Sequence, residues 1–527
     1  MFCTLFLRGG RILDGTGAPA RPADVRIADD VIEAIAPPGE MNPDGVRVLD
    51  AAGKIVAPGF IDTHTHGDPI DDGAFENFLA MGVTTICLGQ DGESPRCEDL
   101  SAWMNGVDQA RPGVNIALFA GHGTLRELAG AGLTPKADAP ALERMAQLCE
   151  RAMRAGCLGI TTGLEYEPGC FADVEELVAV SRPVARLGGL AMSHMRSEDD
   201  ATILSALDEF LAQGRGAQCP VHVSHLKVVY AHGVERAEAI LGRMDGARAD
   251  GLRVTADLYP YVASYTTIGI LFPEWAKPPN DYAEVARTRR AELASYLRHK
   301  VESRNGPEAT LFGTPPWAGQ TLAQVAQMLG KPFEDALIED IGPAGAGAAY
   351  FVMDPAVMER FLVDPHVMIC TDGSPTMRHP RGYGAFARVI REYVVQRRLL
   401  TLEQAVHKMT GLSAHTLGLD AGTTAAATHT RPPLATPQPQ SRPRAILPRS
   451  FVPRGLLAPG YAADLVVFDP AAVRDESTFE HPHRLASGMD TVIVNGIVVR
   501  ENAYPTGMCA GRMLRRPIRC PGKPPIS

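Results

Sequence analysis

Apolar positions along the chain fall into two rhythms. Over residues 1–57, β-rich runs such as LFLRGGRILDG, ADVRIADDVIEAIAP and VRVLDAAGKIVAPG alternate with Gly, Asp and Pro turns, the punctuation of short strands. YAADLVVFDP and DTVIVNGIVV, within 461–499, repeat that style. The two ends, 1–57 and 453–527, are expected to pair into one small β-sandwich domain. Between them the period changes. Apolar strands recur, each followed by a longer Ala-, Glu- and Arg-rich stretch with helical spacing. APGFIDTH, VTTICLG, NIALFAG, GCLGITTG, GLAMSH, CPVHVSH, GLRVTADLY and HVMICTDG make eight. Strand–helix alternation implies a parallel sheet. Eight such units over 58–420 predict a (β/α)8 TIM-like barrel. Two segments break the rhythm. Residues 272–347 carry the helical stretch YAEVARTRRAELASYLRHKVE between the seventh and eighth strands, and are expected to form an inserted lid. Residues 421–452, rich in Pro, Thr and Ala, offer little to a core and read as a mobile linker.

Composition narrows the classes. The chain has 527 residues, 45% of them hydrophobic, enough for one large domain with additions. A formal charge of −10 argues against nucleic-acid and anionic-membrane partners. Ten Cys without a CxxC pair read as reduced thiols, which suits the cytoplasm. The start, MFCTLFLRGG, lacks the basic region and cleavage site of a signal peptide, and no run is long enough to span a membrane.

Polar residues gather at the C-terminal ends of the predicted strands, where such barrels place their chemistry. In FIDTHTH, His64 and His66 stand two apart, so both imidazoles can face the barrel mouth and share a metal ion. His194 ends LAMSH, His225 ends VHVSH and Asp372 ends VMICTD. A single such histidine is ordinarily a satisfied core residue. Four histidines and an aspartate on four strand ends point to a metal centre instead. Imidazole and carboxylate ligands suit Zn²⁺ best, with Mn²⁺ or Fe²⁺ as the other candidates.

PGFIDTHTH, GITTGLEYEPG (159–169), HMRSE (194–198), VSHLK (223–227), DLYPY (257–261) and TDGSPTMRHPRGYG (371–384) resemble the amidohydrolase superfamily, specifically the N-acyl-D-amino-acid deacylases, or D-aminoacylases. The motifs run in that family's order over nearly the whole chain. The resemblance implies one or two Zn²⁺ ions, with His64 and His66 in the weaker metal site and His194 and His225 in the tighter one. It implies Asp372 as the catalytic aspartate, and Lys227, Tyr259 and Arg381 as the holders of a small-molecule substrate's α-carboxylate. Lys supplies a compact cation, Arg a bidentate fork and Tyr a donor. Two departures stand out. Where the family's second strand ends in Asn-Cys-Gly, this chain has Gln90-Asp91-Gly92, so Asp91 is expected to replace the cysteine ligand. Cys87 lies four residues earlier in an apolar run and reads as a core thiol. Tyr265 stands where the family carries a carboxylate-binding serine.

The activity implied is metal-assisted hydrolysis of a linear amide, with the D preference coming from the resemblance alone. A cyclic-amide hydrolase of the dihydroorotase or hydantoinase type is the alternative, weakened by the absence of a lysine from CLGITTGLEY. A dipeptidase-like enzyme would use the same carboxylate clamp. A non-catalytic barrel is favoured only by the altered second-strand motif.

Overall fold

The computed structural model describes residues 3–43, 45–420 and 451–517. Apart from residues 451 and 452, the linker expected at 421–452 lies outside the described residues.

Eight parallel strands form the barrel: β1 (Phe60–Asp62), β2 (Val83–Leu88), β3 (Asn115–Leu118), β4 (Gly159–Gly163), β5 (Leu190–His194), β6 (Val221–Val223), β7 (Val254–Leu258) and β8 (Val367–Ile369). β1 pairs with β2 and β2 with β3. A short continuation, Ala120–Gly121, carries β3 across to β4. The order then runs β4-β5-β6-β7-β8. A parallel bridge between Thr65 and Gly373 closes the ring, with His66 N donating to Gly373 O at 2.8 Å and Asp372 N to His64 O at 2.9 Å. The first and last strands therefore meet at the residues that carry the candidate ligands.

The outer helices follow from amphipathic spacing and side-chain caps. Ala139–Ala155 buries Ala141, Met145, Leu148, Cys149 and Ala152, one face of a 3.6-residue period. Asp138 caps its first turn by accepting from Ala141 N, and Gly156, at φ +116°, ends it in the left-handed region. Asp99 and Asp173 cap Leu100–Ala110 and Val174–Arg186 in the same way.

Both chain ends meet in one hydrogen-bonded nine-stranded sheet. Leu465–Phe468 lies antiparallel to Ile55–Pro58 at the junction. Alternation divides its side chains between two cores. Leu465 and Val467 pack with Leu5, Val25, Ile27 and Val56 inside the small domain, whereas Val466 and Phe468 pack against the barrel.

Between β7 and β8 a three-stranded antiparallel sheet forms from Ser264–Thr267, Thr310–Phe312 and Gly347–Tyr350. This sheet reaches beyond 272–347 at both ends. It carries its own core, including Leu293, Leu297, Val301, Phe312, Val325 and Tyr350. No helix among the described residues is long and apolar enough to cross a membrane.

Candidate active site

The strand ends bring six of the expected residues into one cluster. The Asp91 carboxylate stands at its centre. Its Oδ1 lies 3.4 Å from His64 Nε2, 3.4 Å from His225 Nε2 and 3.8 Å from His194 Nδ1. Its Oδ2 lies 3.4 Å from His66 Nε2. Asp372 Oδ1 faces His66 Nε2 at 3.3 Å and His64 Nε2 at 3.6 Å. Two ligand sets overlap on Asp91, His64-His66-Asp91-Asp372 and Asp91-His194-His225, and a third, Glu165-His194-Glu198, shares His194. Both ring nitrogens of His64, and Asp91 Oδ1, are buried without a hydrogen-bond partner. Unpaired buried polar atoms are costly, and acceptors converging from five strands fit a bound cation. Imidazole and carboxylate donors at this spacing fit one or two Zn²⁺ ions.

Backbone geometry aims these groups. Asp91, His225 and Asp372 adopt φ of +53°, +37° and +47°, a region non-glycine residues seldom enter. Each strand thereby breaks sharply at its ligand. Gly92, at φ +80°, continues the turn after Asp91; a Cβ there would press on the backbone of Gly163. Asp257, fully buried at the end of β7, accepts from His225 N at 2.5 Å and from Thr63 Oγ1, and contacts His222 Nε2 at 3.0 Å. Asp62 Oδ1 accepts from Thr371 N at 3.0 Å and His64 N at 3.3 Å. Two buried carboxylates beneath the cluster thus hold the backbone that carries its ligands.

Two further carboxylates orient the imidazoles. Glu165 Oε2 lies 2.9 Å from His194 Nε2, and Glu198 Oε1 lies 3.2 Å from His225 Nδ1. Such partners set which ring nitrogen faces a metal. Sequence reasoning assigned no role to either, although both sit in quoted motifs, GLEYEPG and HMRSE. Glu198 follows His194 by four residues, a spacing that offered a signal.

A cavity of about 690 Å³ opens over the cluster, lined by His66, Asp91, His194, Lys227, Asp372 and Arg381 among others. Both expected clamp cations are already paired. Lys227 Nζ lies 2.6 Å from Glu198 Oε1 and 2.8 Å from His225 Nδ1. Arg381 Nη1 lies 2.8 Å from Asp372 Oδ2. Tyr259 sits behind them, its ring 4.6 Å from the Arg381 guanidinium and 5.8 Å from Lys227 Nζ. Its phenol oxygen is buried without a partner.

His379 was not anticipated. Its Nε2–H donates to Ala263 O and its Nδ1 accepts from Arg381 N, both at 3.0 Å. Burial, helped by the Arg381 charge, pushes its pKa well below the usual imidazole range, so the ring is a neutral strut at the start of helix Arg381–Arg388. Tyr265 lines the cavity with its phenol against Gly313 and Gly347, where a Cβ would collide with it. Cys87 is fully buried, packed with Ile61, Ala117 and Phe119 away from the ligands.

Electrostatics keep the acids ionised. Burial alone would raise the Asp91 carboxyl, yet His64, His225 and His66 around it hold it well below the usual range. Burial acts likewise on Asp372, and the Arg381 guanidinium outweighs it.

Comparison with known proteins agrees with this geometry. The model of the amidohydrolase family matches residues 47–426. N-acyl-D-glutamate deacylase of Alcaligenes xylosoxydans xylosoxydans is 33% identical over 99% of both chains. D-aminoacylase of the same organism is 33% identical over 97% of both. The crystal structure of N-acyl-D-glutamate deacylase from Bordetella bronchiseptica, complexed with zinc and a phosphonate mimic of the tetrahedral intermediate, superposes with a TM-score of 0.79. It is 32% identical and covers 98% of this chain and 100% of its own. Full-length similarity at this level, on a barrel with these strand ends, makes the chain a member of the amidohydrolase family, among the N-acyl-D-amino-acid deacylases.

Proposed function

We propose that the protein hydrolyses the amide bond of N-acyl-D-amino acids, releasing a carboxylate and a free D-amino acid. The observation that carries this reading is Asp372, which touches the metal-ligand cluster through one oxygen and a carboxylate-binding arginine through the other. The D preference follows the named relatives, N-acyl-D-glutamate deacylase and D-aminoacylase.

His64, His66, Asp91, His194, His225 and Asp372 are the residues that would hold one or two Zn²⁺ ions. Zinc supplies Lewis acidity, polarising a carbonyl and acidifying water. Asp372 takes the proton of the attacking water and delivers it to the leaving nitrogen. Arg381 and Lys227 bind the α-carboxylate and the Tyr259 phenol donates to it, which fixes the amide over the ligand cluster. Glu165 and Glu198 hold the His194 and His225 rings in register. Segment 272–347 serves as a lid; its Thr314, Pro315 and Ala346 line the cavity. Free cysteines among the described residues and the net charge of −10 support a cytoplasmic enzyme without a nucleic-acid partner.

The test is amine release from N-acetyl-D- and N-acetyl-L-amino acids, dipeptides and hydantoins by zinc-reconstituted protein. Turnover of the N-acetyl-D compounds supports the reading, and turnover of hydantoins alone overturns it.

A further inference from the structure

Arg304 lies in the inserted segment just past helix Arg290–Ser303, outside the machinery described above. It is 2% exposed and lines the same cavity as Asp372 and His66. Five arginines among the described residues are buried: Arg126, Arg304, Arg381, Arg454 and Arg500. Four of them reach a carboxylate, on Glu176, Asp372, Asp464 and Glu76. Arg304 reaches none within 4.0 Å among the described residues. Its Nε is buried with no hydrogen-bond partner. Its guanidinium lies 5.2 Å from the ring centroids of both Tyr230 and Tyr350. Asp199, on the same cavity wall, contacts Lys300 at 3.8 Å and feels the Arg304 charge only from beyond contact distance. Two other acids of the wall have partners of their own, Glu127 with Arg96 at 3.2 Å and Glu165 with His194 at 2.9 Å.

A buried cation with no carboxylate in contact is costly, and two tyrosine faces and the more distant Asp199 offset only part of that cost. A carboxylate brought by a ligand would satisfy the guanidinium fork bidentately. We propose that Arg304 forms a subsite for a second carboxylate on the substrate, distinct from the α-carboxylate held by Arg381 and Lys227. The preferred substrates are then dianions. The second charge sits either on an acidic amino-acid side chain or at the far end of a dicarboxylic acyl group. The proposal rests on the deacylase reading and deepens it. A neutral isostere leaves Arg304 buried and unpaired, so the site discriminates against it.

Two substrate pairs separate the sources: N-acetyl-D-glutamate against N-acetyl-D-glutamine, and N-succinyl-D-leucine against N-acetyl-D-leucine. With zinc-loaded full-length protein, the dianion of one pair is expected to win in kcat/KM by roughly tenfold or more. The winning pair identifies the source. Arg304→Met should shrink that ratio to within about threefold while N-acetyl-D-leucine turnover survives. Arg304→Lys, which keeps the charge without the fork, should fall between. Equal rates within both pairs for the unaltered protein, or a preference that survives Arg304→Met, would overturn the subsite. Calorimetric binding of the same four compounds decides the matter even where none is hydrolysed. Absence of all hydrolysis with the dianion preference in binding retained would overturn the deacylase reading alone.

Discussion

Arg381 Nη1 lies 2.8 Å from Asp372 Oδ2, while Asp372 Oδ1 faces His66 and His64 at 3.3 and 3.6 Å. One carboxylate therefore joins the candidate ligand cluster to the arginine of the proposed substrate clamp. A substrate carboxylate that docks on Arg381 docks on the partner of the proposed catalytic group. In the proposed mechanism, recognition and proton transfer then share a bond, so a change to one is felt by the other.

Arg381→Gln should consequently raise KM and lower kcat together, each on the order of tenfold or more. A residue that only anchored substrate would raise KM alone. Steady-state kinetics with an N-acetyl-D-amino acid check this, and an unchanged kcat contradicts the shared role.

Asp91 gives a test by metal content. It stands in two ligand sets, so Asp91→Ala should reduce bound zinc per chain and lower activity by about a hundredfold. Asp91→Cys restores the ligand type expected from the family and should retain zinc better than the alanine variant. Plasma emission spectrometry of the purified proteins measures it. Full zinc content in Asp91→Ala would reduce Asp91-Gly92 to a turn.

How much of this was legible in the sequence depended on the range of the interaction. The eight strands announce themselves locally, as apolar runs ended by His, Gly or Tyr. Leu465–Phe468 shows why alternation works: its neighbours along the chain belong to different cores. His64 and His66 were readable because a two-residue period fixes their common direction. The pairing of Ser264–Thr267 with Gly347–Tyr350 was not, since its partners lie some eighty residues apart with no local signal of register. Glu165 and Glu198 escaped for a related reason. A carboxylate in a loop reads as solvated until the fold shows it buried beside an imidazole. Lys227 stood out as a holder of the substrate carboxylate, and its ion pair with Glu198 came only with the packing of β5 against β6.

That ion pair makes a stability prediction. Lys227 and Glu198 are 8% and 6% exposed, so removing one partner strands a buried charge. Lys227→Met should cost about 3–5 kcal/mol, whereas Lys227→Met with Glu198→Leu should cost less than the single change. Denaturant unfolding of the apoproteins measures both. A larger loss in the double variant would contradict the pairing.

Lys408 supplies a pH test away from the site. Its ammonium is buried, donating to the carbonyl oxygens of Asp364 and, at 2.7 Å, Val367. Burial pushes its pKa down to about 8, below the unfolded value near 10.4. Between those values the unfolded chain binds more protons, so this group's contribution to stability rises with pH. Its penalty is fully present below pH 8 and is relieved as pH climbs to about 10, by roughly 3 kcal/mol. Lys408→Met should flatten that rise in a stability–pH profile. An identical slope in both proteins would contradict the assignment.

The most direct measurement is amine release from an N-acetyl-D-amino acid by the same preparation before chelation, after chelation and after zinc is restored. The account predicts turnover that falls to background when zinc is stripped, returns with about one zinc per chain, and is absent from Asp372→Asn at any zinc level. Full turnover by metal-free protein, or by Asp372→Asn, would contradict it.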